Sequence, residues 1–493
     1  MRRCLGILVL AACASSKPTV AASPAPSPPA PAPTPAAPSG EPAFMTSPPK
    51  LPEAGTFVPP APSTWRLANG LEVVLVERHD VPLVTFALEV RAGSNGEPAA
   101  KAGLASLTAN LLDEGAGSRG TLALAEETER LGAELETRAG SEASVVEMTV
   151  LSSRLGEAAA LFADVVLRPR FEAKDLQRVR IEQLGAIAQR KVDPRSMAAL
   201  AAAAALYGDS PFGRPIAGYE GTVAKLGAAD VRGFYDRYYR PGNAVLVVVG
   251  DVGPDDLKPR LDKLFGDWKA KPVSPLPEAT PVPHPPRLVL VDKPGAAQSS
   301  LRIVEPAIPR VDADYASLQT TLAVLGGSFT SRLTRNLRER NNYTYGASAS
   351  VQWQRGRGPL SVNSEIFTDV TAPAIAEALK ELEGIHGPFV GDEVQKAKAL
   401  LRQGLVEAMG STSGLALTLA GLIAAGAPLD SYQRLDADLA KLEEGDLQKA
   451  AASHIHADQA TIVVVGDLAK IRPAIEKLGL GAGELHDADG KKL

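Results

Sequence analysis

Cysteine is almost absent: Cys4 and Cys13 are the only two in 493 residues. Both lie within the first 13 positions, so neither a disulfide framework nor a cysteine zinc site can hold the folded body together. Its stability has to come from buried apolar area. Long apolar runs are missing too, and none reaches the roughly 20 residues that cross a bilayer. Nor is there an excess of basic charge. The net charge of -5 and pI near 5.8 lack the strongly basic field of a nucleic-acid binder, so no nucleic-acid partner is expected. What remains is ordinary for packed globular protein, 45% hydrophobic and 22% charged, at a length that suits two or three units.

The first residues read as an address. Arg2 and Arg3 precede a short apolar run from Leu5 to Ala12, the layout of a secretory signal. Leu10-Ala11-Ala12-Cys13 resembles the bacterial lipobox, which implies a signal over 1–13 and lipidation of Cys13. Ala14, in place of an Asp, looks like an outer-membrane destination facing the periplasm, with the lipid as the only membrane contact. A plain cleaved signal with an incidental cysteine is the other reading. Residues 14–62 are mostly Pro, Ala and Ser, which bury too little to fold and read as a semi-rigid, disordered tether.

The remainder repeats itself. The strand-like Ala244–Gly250, closed by Asp251, returns 216 residues later at Ala460–Gly466, closed by Asp467. Such an offset fits a duplicated domain. Alternation predicts strands at 72–76, 83–90, 133–139 and 144–151, with helices at 100–114, 121–132, from Leu155 to before Pro169, and 173–191, the last stopping at Pro194. The second half predicts strands near 287–291, 299–304, 346–353 and 359–366, with helices near 311–325, 329–340, 371–384 and 391–409. The fold class is therefore α+β: two homologous domains, 63–270 and 287–480, each a mainly antiparallel sheet packed with helices. A Pro-rich linker, 271–286, joins them, and 481–493 is a tail.

Particular segments carry a family resemblance. These are Leu67-Ala68-Asn69-Gly70-Leu71, Arg91-Ala92-Gly93-Ser94, Pro169-Arg170-Phe171, Tyr239-Arg240-Pro241-Gly242-Asn243, Ser331-Arg332-Leu333 and Leu337-Arg338-Glu339 followed by Tyr345. In that order, across residues 64–480, they resemble the pitrilysin/insulinase (M16) family of zinc peptidases. Active members bear His-x-x-Glu-His on the first long helix: two imidazoles on one helical face share a zinc, and the Glu activates its water. Here Ser106 and Asn110 stand at the His positions and Ala109 at the Glu position. A hydroxyl and an amide are poor zinc ligands, and alanine is no base. Glu182 lies near the region expected to give a third ligand, but alone it cannot hold a metal. No His-x-x-Glu-His occurs among the six histidines elsewhere, and His454 and His456 lack further ligands. No metal site is expected in this chain.

The resemblance further implies that Arg338 and Tyr345 match a pair that holds substrate backbone against the metal. A guanidinium fork binds peptide carbonyls, and a phenol donates to the developing oxyanion. Asn341-Asn342-Tyr343-Thr344 replaces the usual glycine of the turn between them, and Asn tolerates the left-handed conformation such a turn needs. Arg338 also reads as one more solvated helix charge beside Arg335, Glu339 and Arg340, and Tyr345 as strand-edge packing. The expectation is a non-metal, substrate-binding subunit of a heteromeric zinc metalloendopeptidase acting on peptides, resembling the degenerate subunit of split bacterial members and of mitochondrial processing peptidase. Zinc would reside in a partner with an intact motif. The alternative is a non-catalytic structural or peptide-binding envelope lipoprotein of the same fold.

Overall fold

The structure is a computed structural model that describes residues 59–283, 285 and 287–493. The signal, Cys13 and nearly all of the tether fall outside the described residues. In the first half, β1 (Ser63–Arg66), β2 (Glu72–Glu77) and β3 (Leu83–Val90) lead to α1 (Leu104–Ala109) and α2 (Thr121–Leu131). Then come β4 (Glu134–Ala139), β5 (Ser144–Leu151), α3 (Leu155–Leu167), α4 (Ala173–Arg190), α5 (Pro194–Tyr207), α6 (Ala228–Tyr238), β6 (Ala244–Gly250) and α7 (Pro254–Phe265).

The second half retraces this path. It runs through β7 (Leu288–Asp292), β8 (Gln298–Pro306), α8 (Tyr315–Gly326), a helical segment Arg332–Thr334 that widens into the π-helical Arg335–Arg340, β9 (Thr344–Val351) and β10 (Pro359–Phe367). It closes with α9 (Thr371–Gly384), α10 (Glu393–Ala408), α11 (Thr412–Ala424), α12 (Ser431–Lys441), α13 (Glu444–His454), β11 (Thr461–Gly466), α14 (Leu468–Glu476) and β12 (Glu484–His486).

Each half builds a six-stranded sheet, ordered β1-β2-β6-β3-β5-β4 and β9-β10-β8-β11-β7-β12. Most neighbours are antiparallel; β2 pairs parallel with β6, and β7 pairs parallel with both β11 and β12. The sheets are therefore mixed but mainly antiparallel, and their α+β layering follows the alternation in the sequence. Residues 484–486, set apart above as a tail, supply the last strand.

The central strands β6 and β11 are valine-rich without alternation because both of their faces are buried. Leu246 and Val248 join the core of their own helices with Phe86 and Phe162. Val245, Val247 and Val249 face the other way, against Leu415, Leu419 and Leu422 of α11, a helix from the second half. The exchange is reciprocal. Met197, Ala198, Ala201 and Ala205 of α5, from the first half, cover Val289, Val304, Val463 and Val465 of the second sheet. Alanine at most of these contacts lets the helix lie close to the strands. Thr85 donates to Thr412 (2.9 Å), and Tyr207 to the Arg357 carbonyl (2.8 Å), fixing the two crossings. Complete burial of each valine contributes roughly 1.5 kcal/mol or more.

One helix is shorter than its sequence pattern. The 100–114 stretch is helical only over α1. Gly103 before it has φ +97°, and a Cβ there would lie 2.7 Å from the Ala217 carbonyl oxygen. The chain thus turns sharply into α1, where only glycine fits.

Candidate functional site

Helix α1 carries the positions at which a zinc motif would stand. Leu104, Leu107 and Leu111 are buried as the apolar face, while Ser106 and Asn110 are half-buried. Among the described residues neither side chain makes a hydrogen bond. Ala109 is wholly buried, so the place of a catalytic carboxylate is packed with core. The carboxylate of Glu97 accepts the N–H groups of Gly103 and Ala105, both at 2.8 Å. It thereby satisfies donors that α1 leaves free at its N-terminus. Burial pushes Glu97 up to about 7, against these backbone bonds.

Glu182 does not complete a metal site. It projects from α4 into solvent and pairs with Arg178 (2.9 Å). Its neighbour Gln183 is the buried one, donating to the Gly103 and Ala217 carbonyls at 3.0 and 2.9 Å. Among the described residues no group of three or more His, Cys, Asp or Glu side chains comes together as a metal would require. His454 reaches Asp314 (2.8 Å) and His456 lies 3.6 Å from Glu305, so the two imidazoles serve different carboxylates. A hydroxyl, an amide and a methyl group do not fit zinc.

Arg338 and Tyr345 lie on either side of a tight connection into β9. Asn336, buried inside the π-helical segment, donates to Glu377 (2.8 Å) and Glu381 (2.6 Å) of α9, and accepts from Asn341 (2.7 Å). Tyr343 N–H closes the turn on the Leu337 carbonyl (2.8 Å), and Asn342 N–H on that of Arg338 (3.0 Å). Asn342 has φ +54°, the left-handed geometry expected of the residues standing in for glycine. Leu337 and Tyr343 pack on the core, which leaves Arg338 and Tyr345 facing outward.

Tyr345 is 76% exposed and Phe329 75%. The Arg338 guanidinium sits 5.2 Å from the Phe329 ring centre, and Tyr345 meets Phe367 edge-on at 5.4 Å. Both Phe329 and Tyr345 border a cleft of 610 Å³, which also contains Arg195, Arg302, Asn363 and Glu365. Tyr345 thus lines an aromatic-rimmed cleft, while Arg338 stacks on Phe329 at its edge and is not part of the lining. Among the described residues, no hydrogen bond or ion pair joins them to Ser106, Ala109 or Asn110. Sequence reasoning missed Phe329, Phe367 and Asn336. None of the three lies in a segment that carries the family resemblance.

Residues 72–219 match a family described as "Insulinase (Peptidase family M16)", and residues 225–401 one described as "Peptidase M16 inactive domain". An uncharacterized zinc protease of Mycobacterium tuberculosis is 30% identical over 350 residues, covering 70% of this chain and 80% of that protein. The chain belongs to the insulinase (M16) peptidase family. An uncharacterized zinc protease of Rickettsia felis is 23% identical across 70% of this chain and 82% of its own length.

A peptidase M16 inactive domain from Pseudomonas fluorescens superposes with a TM-score of 0.77 at 25% identity, over 82% of this chain and 98% of that one. A Helicobacter pylori protease gives 0.75 at 19% identity, over 82% and 99%, a likeness of fold alone. Ser106, Ala109 and Asn110 fall within the insulinase match, and Arg338 and Tyr345 within the inactive-domain match. This insulinase-family chain carries Ser106, Ala109 and Asn110 in its first matched segment and displays an outward Arg338 and Tyr345 in its second.

Proposed function

We propose that this chain is the non-metal, substrate-holding subunit of a two-chain zinc peptidase. A partner of the same family with an intact His-x-x-Glu-His would supply the metal. The observation that carries the reading is the outward presentation of Tyr345 on a cleft wall and of Arg338 against Phe329 beside it, in a chain whose α1 carries Ser106, Ala109 and Asn110 at the motif positions. Strand β9 lies at the edge of its sheet, so an extended peptide could add alongside it through main-chain hydrogen bonds. Arg338 would grip a peptide carbonyl, and the Tyr345 phenol would donate to the oxyanion that forms when the partner's activated water attacks.

Co-expression with a zinc-bearing relative tests this reading. The isolated chain is expected to contain no stoichiometric zinc by elemental analysis and to cleave no peptide, whereas the pair cleaves. Full cleavage by the pair when this chain carries Arg338→Ala would instead favour a non-catalytic peptide-binding or structural role. Attachment through a lipid on Cys13 would place the chain at the cell envelope, facing the periplasm. Fractionation should then find the protein with the outer membrane, and Cys13→Ala should release it into the soluble fraction. Release-independent behaviour of that variant would remove the anchor from the proposal.

A further inference from the structure

We propose that the 610 Å³ cleft beside Tyr345 is a receptor for a peptide carboxylate, gripped by Arg302 from the second domain and Arg195 from the first. This rests on the reading that the chain holds peptide, and it adds a chemical preference to it. Arg302 lies mid-strand on β8, opposite Val463 of β11 and Asn363 of β10. The equivalent place in the first sheet, opposite Val247, is Ala87, which is sealed beneath α11. In the second sheet the covering helix is α5, and Arg195 stands in its first turn. The cleft opens at that end of α5, and an arginine takes the place of the alanine.

An arginine on the central face of a sheet is costly unless its charge is answered. Arg302 is half-buried, and desolvation by that burial works against its charged form. Among the described residues its guanidinium makes neither a hydrogen bond nor an ion pair. Glu365, the nearby carboxylate on the cleft wall, is engaged elsewhere: it accepts from Ser300 (2.9 Å) and from Arg195 Nε (3.3 Å). Two guanidinium groups against one carboxylate leave the cleft one positive charge in surplus. Asp193, at the same end of α5, is occupied in capping that helix through Ser196 N–H (2.9 Å) and does not line the cleft.

The ligand that answers Arg302 brings a carboxylate for its forked donors, which a peptide supplies at its C-terminus or on an acidic side chain. The volume is in the range of ligand pockets and exceeds one side chain. Phe329 and Tyr345 at the mouth provide apolar walls for the adjoining residues.

The carboxylate could be a peptide's C-terminus or an acidic side chain, and labelled peptides separate the two. Three fluorescent nonapeptides of one sequence are titrated against the purified full chain in detergent, followed by anisotropy. One has an internal Glu and a C-terminal amide, the second Gln and a free C-terminus, the third Gln and an amide. At least one of the first two is expected to bind about tenfold or more tightly than the third, and which one does so identifies the source. The advantage should vanish in Arg302→Gln and shrink in Arg195→Gln, an exposed position where folding is not at stake. Equal binding of all three, no binding of any, or a preference that survives Arg302→Gln would overturn the proposal. Because the titration needs neither zinc nor a partner, it stands apart from the cleavage test: a carboxylate preference with undiminished cleavage by Arg338→Ala would keep this site and remove the two-chain enzyme.

Discussion

A register shift between Thr344 and Ala347 in the pairing of β9 with β10 sets the direction of one phenol. Such irregularities re-aim side chains at the rims of sheets, and here Tyr345 turns out to the cleft while Thr344 turns in to bond the Glu365 carbonyl (2.7 Å). In the proposed two-chain enzyme, Tyr345→Phe would remove the proposed oxyanion donor without disturbing the ring. The expected loss is about 100- to 1000-fold in kcat, measured with a quenched fluorescent peptide. A residue-scale prediction of a different kind concerns Glu89 on β3. Burial pushes its carboxyl up to about 8, against the attraction of Arg91 and Arg355 and with added repulsion from Glu142. The folded protein therefore holds that proton more tightly than the unfolded chain. Stability from this group is full below the ordinary carboxylate range and declines as pH rises towards about 8. Urea unfolding at pH 5 and pH 8 should show a smaller decline in Glu89→Gln than in the parent; an identical decline would place the proton elsewhere.

At the scale of elements, the π-helical segment depends on a single amide. Asn336→Ala leaves Glu377 and Glu381 without the group that lies between them and frees Asn341. The expected cost is about 1–3 kcal/mol in a denaturant titration, with weaker peptide cleavage because the Arg338–Tyr345 connection loosens. Much at this scale was legible beforehand. Leu83–Val90 and Ser144–Leu151 appear over the residues that their alternation marks, and the strand after the turn contains Tyr345. Among the helices not foreseen are α5 and α11, since the sequence reading stops its long helices at Pro194 and near 409. Periodicity shows that a segment has an apolar face but not which surface will receive it, and these two faces meet sheets from the opposite half. Of the candidate site, Arg338, Tyr345 and the tolerance of Asn342 for a left-handed turn could be read from motif resemblance. Arg302 could not: in sequence it is one arginine in an alternating strand, and only the uncovered sheet face beyond α5 gives it meaning.

For the whole molecule, the exchange of α5 and α11 ties the halves together far more firmly than the connecting segment 271–286 does. Cutting that segment with an inserted protease site should leave the two pieces co-eluting as one species on size exclusion. Each piece expressed by itself should aggregate, since its sheet would expose a valine face the size of an ordinary core. Separation of the nicked pieces under native conditions would contradict the reciprocal packing.

That interlock would also restrict how a peptide enters the proposed two-chain enzyme. A peptide cannot be admitted by hinging the halves of this polypeptide apart, because any such swing would strip two hydrophobic helices from the strands beneath them. In the proposed two-chain enzyme, a gate that admits and releases peptide would have to work at the contact between the two subunits, with each moving as a rigid body. The rate of exchange would then depend on the strength of that contact and not on the internal stiffness of either chain.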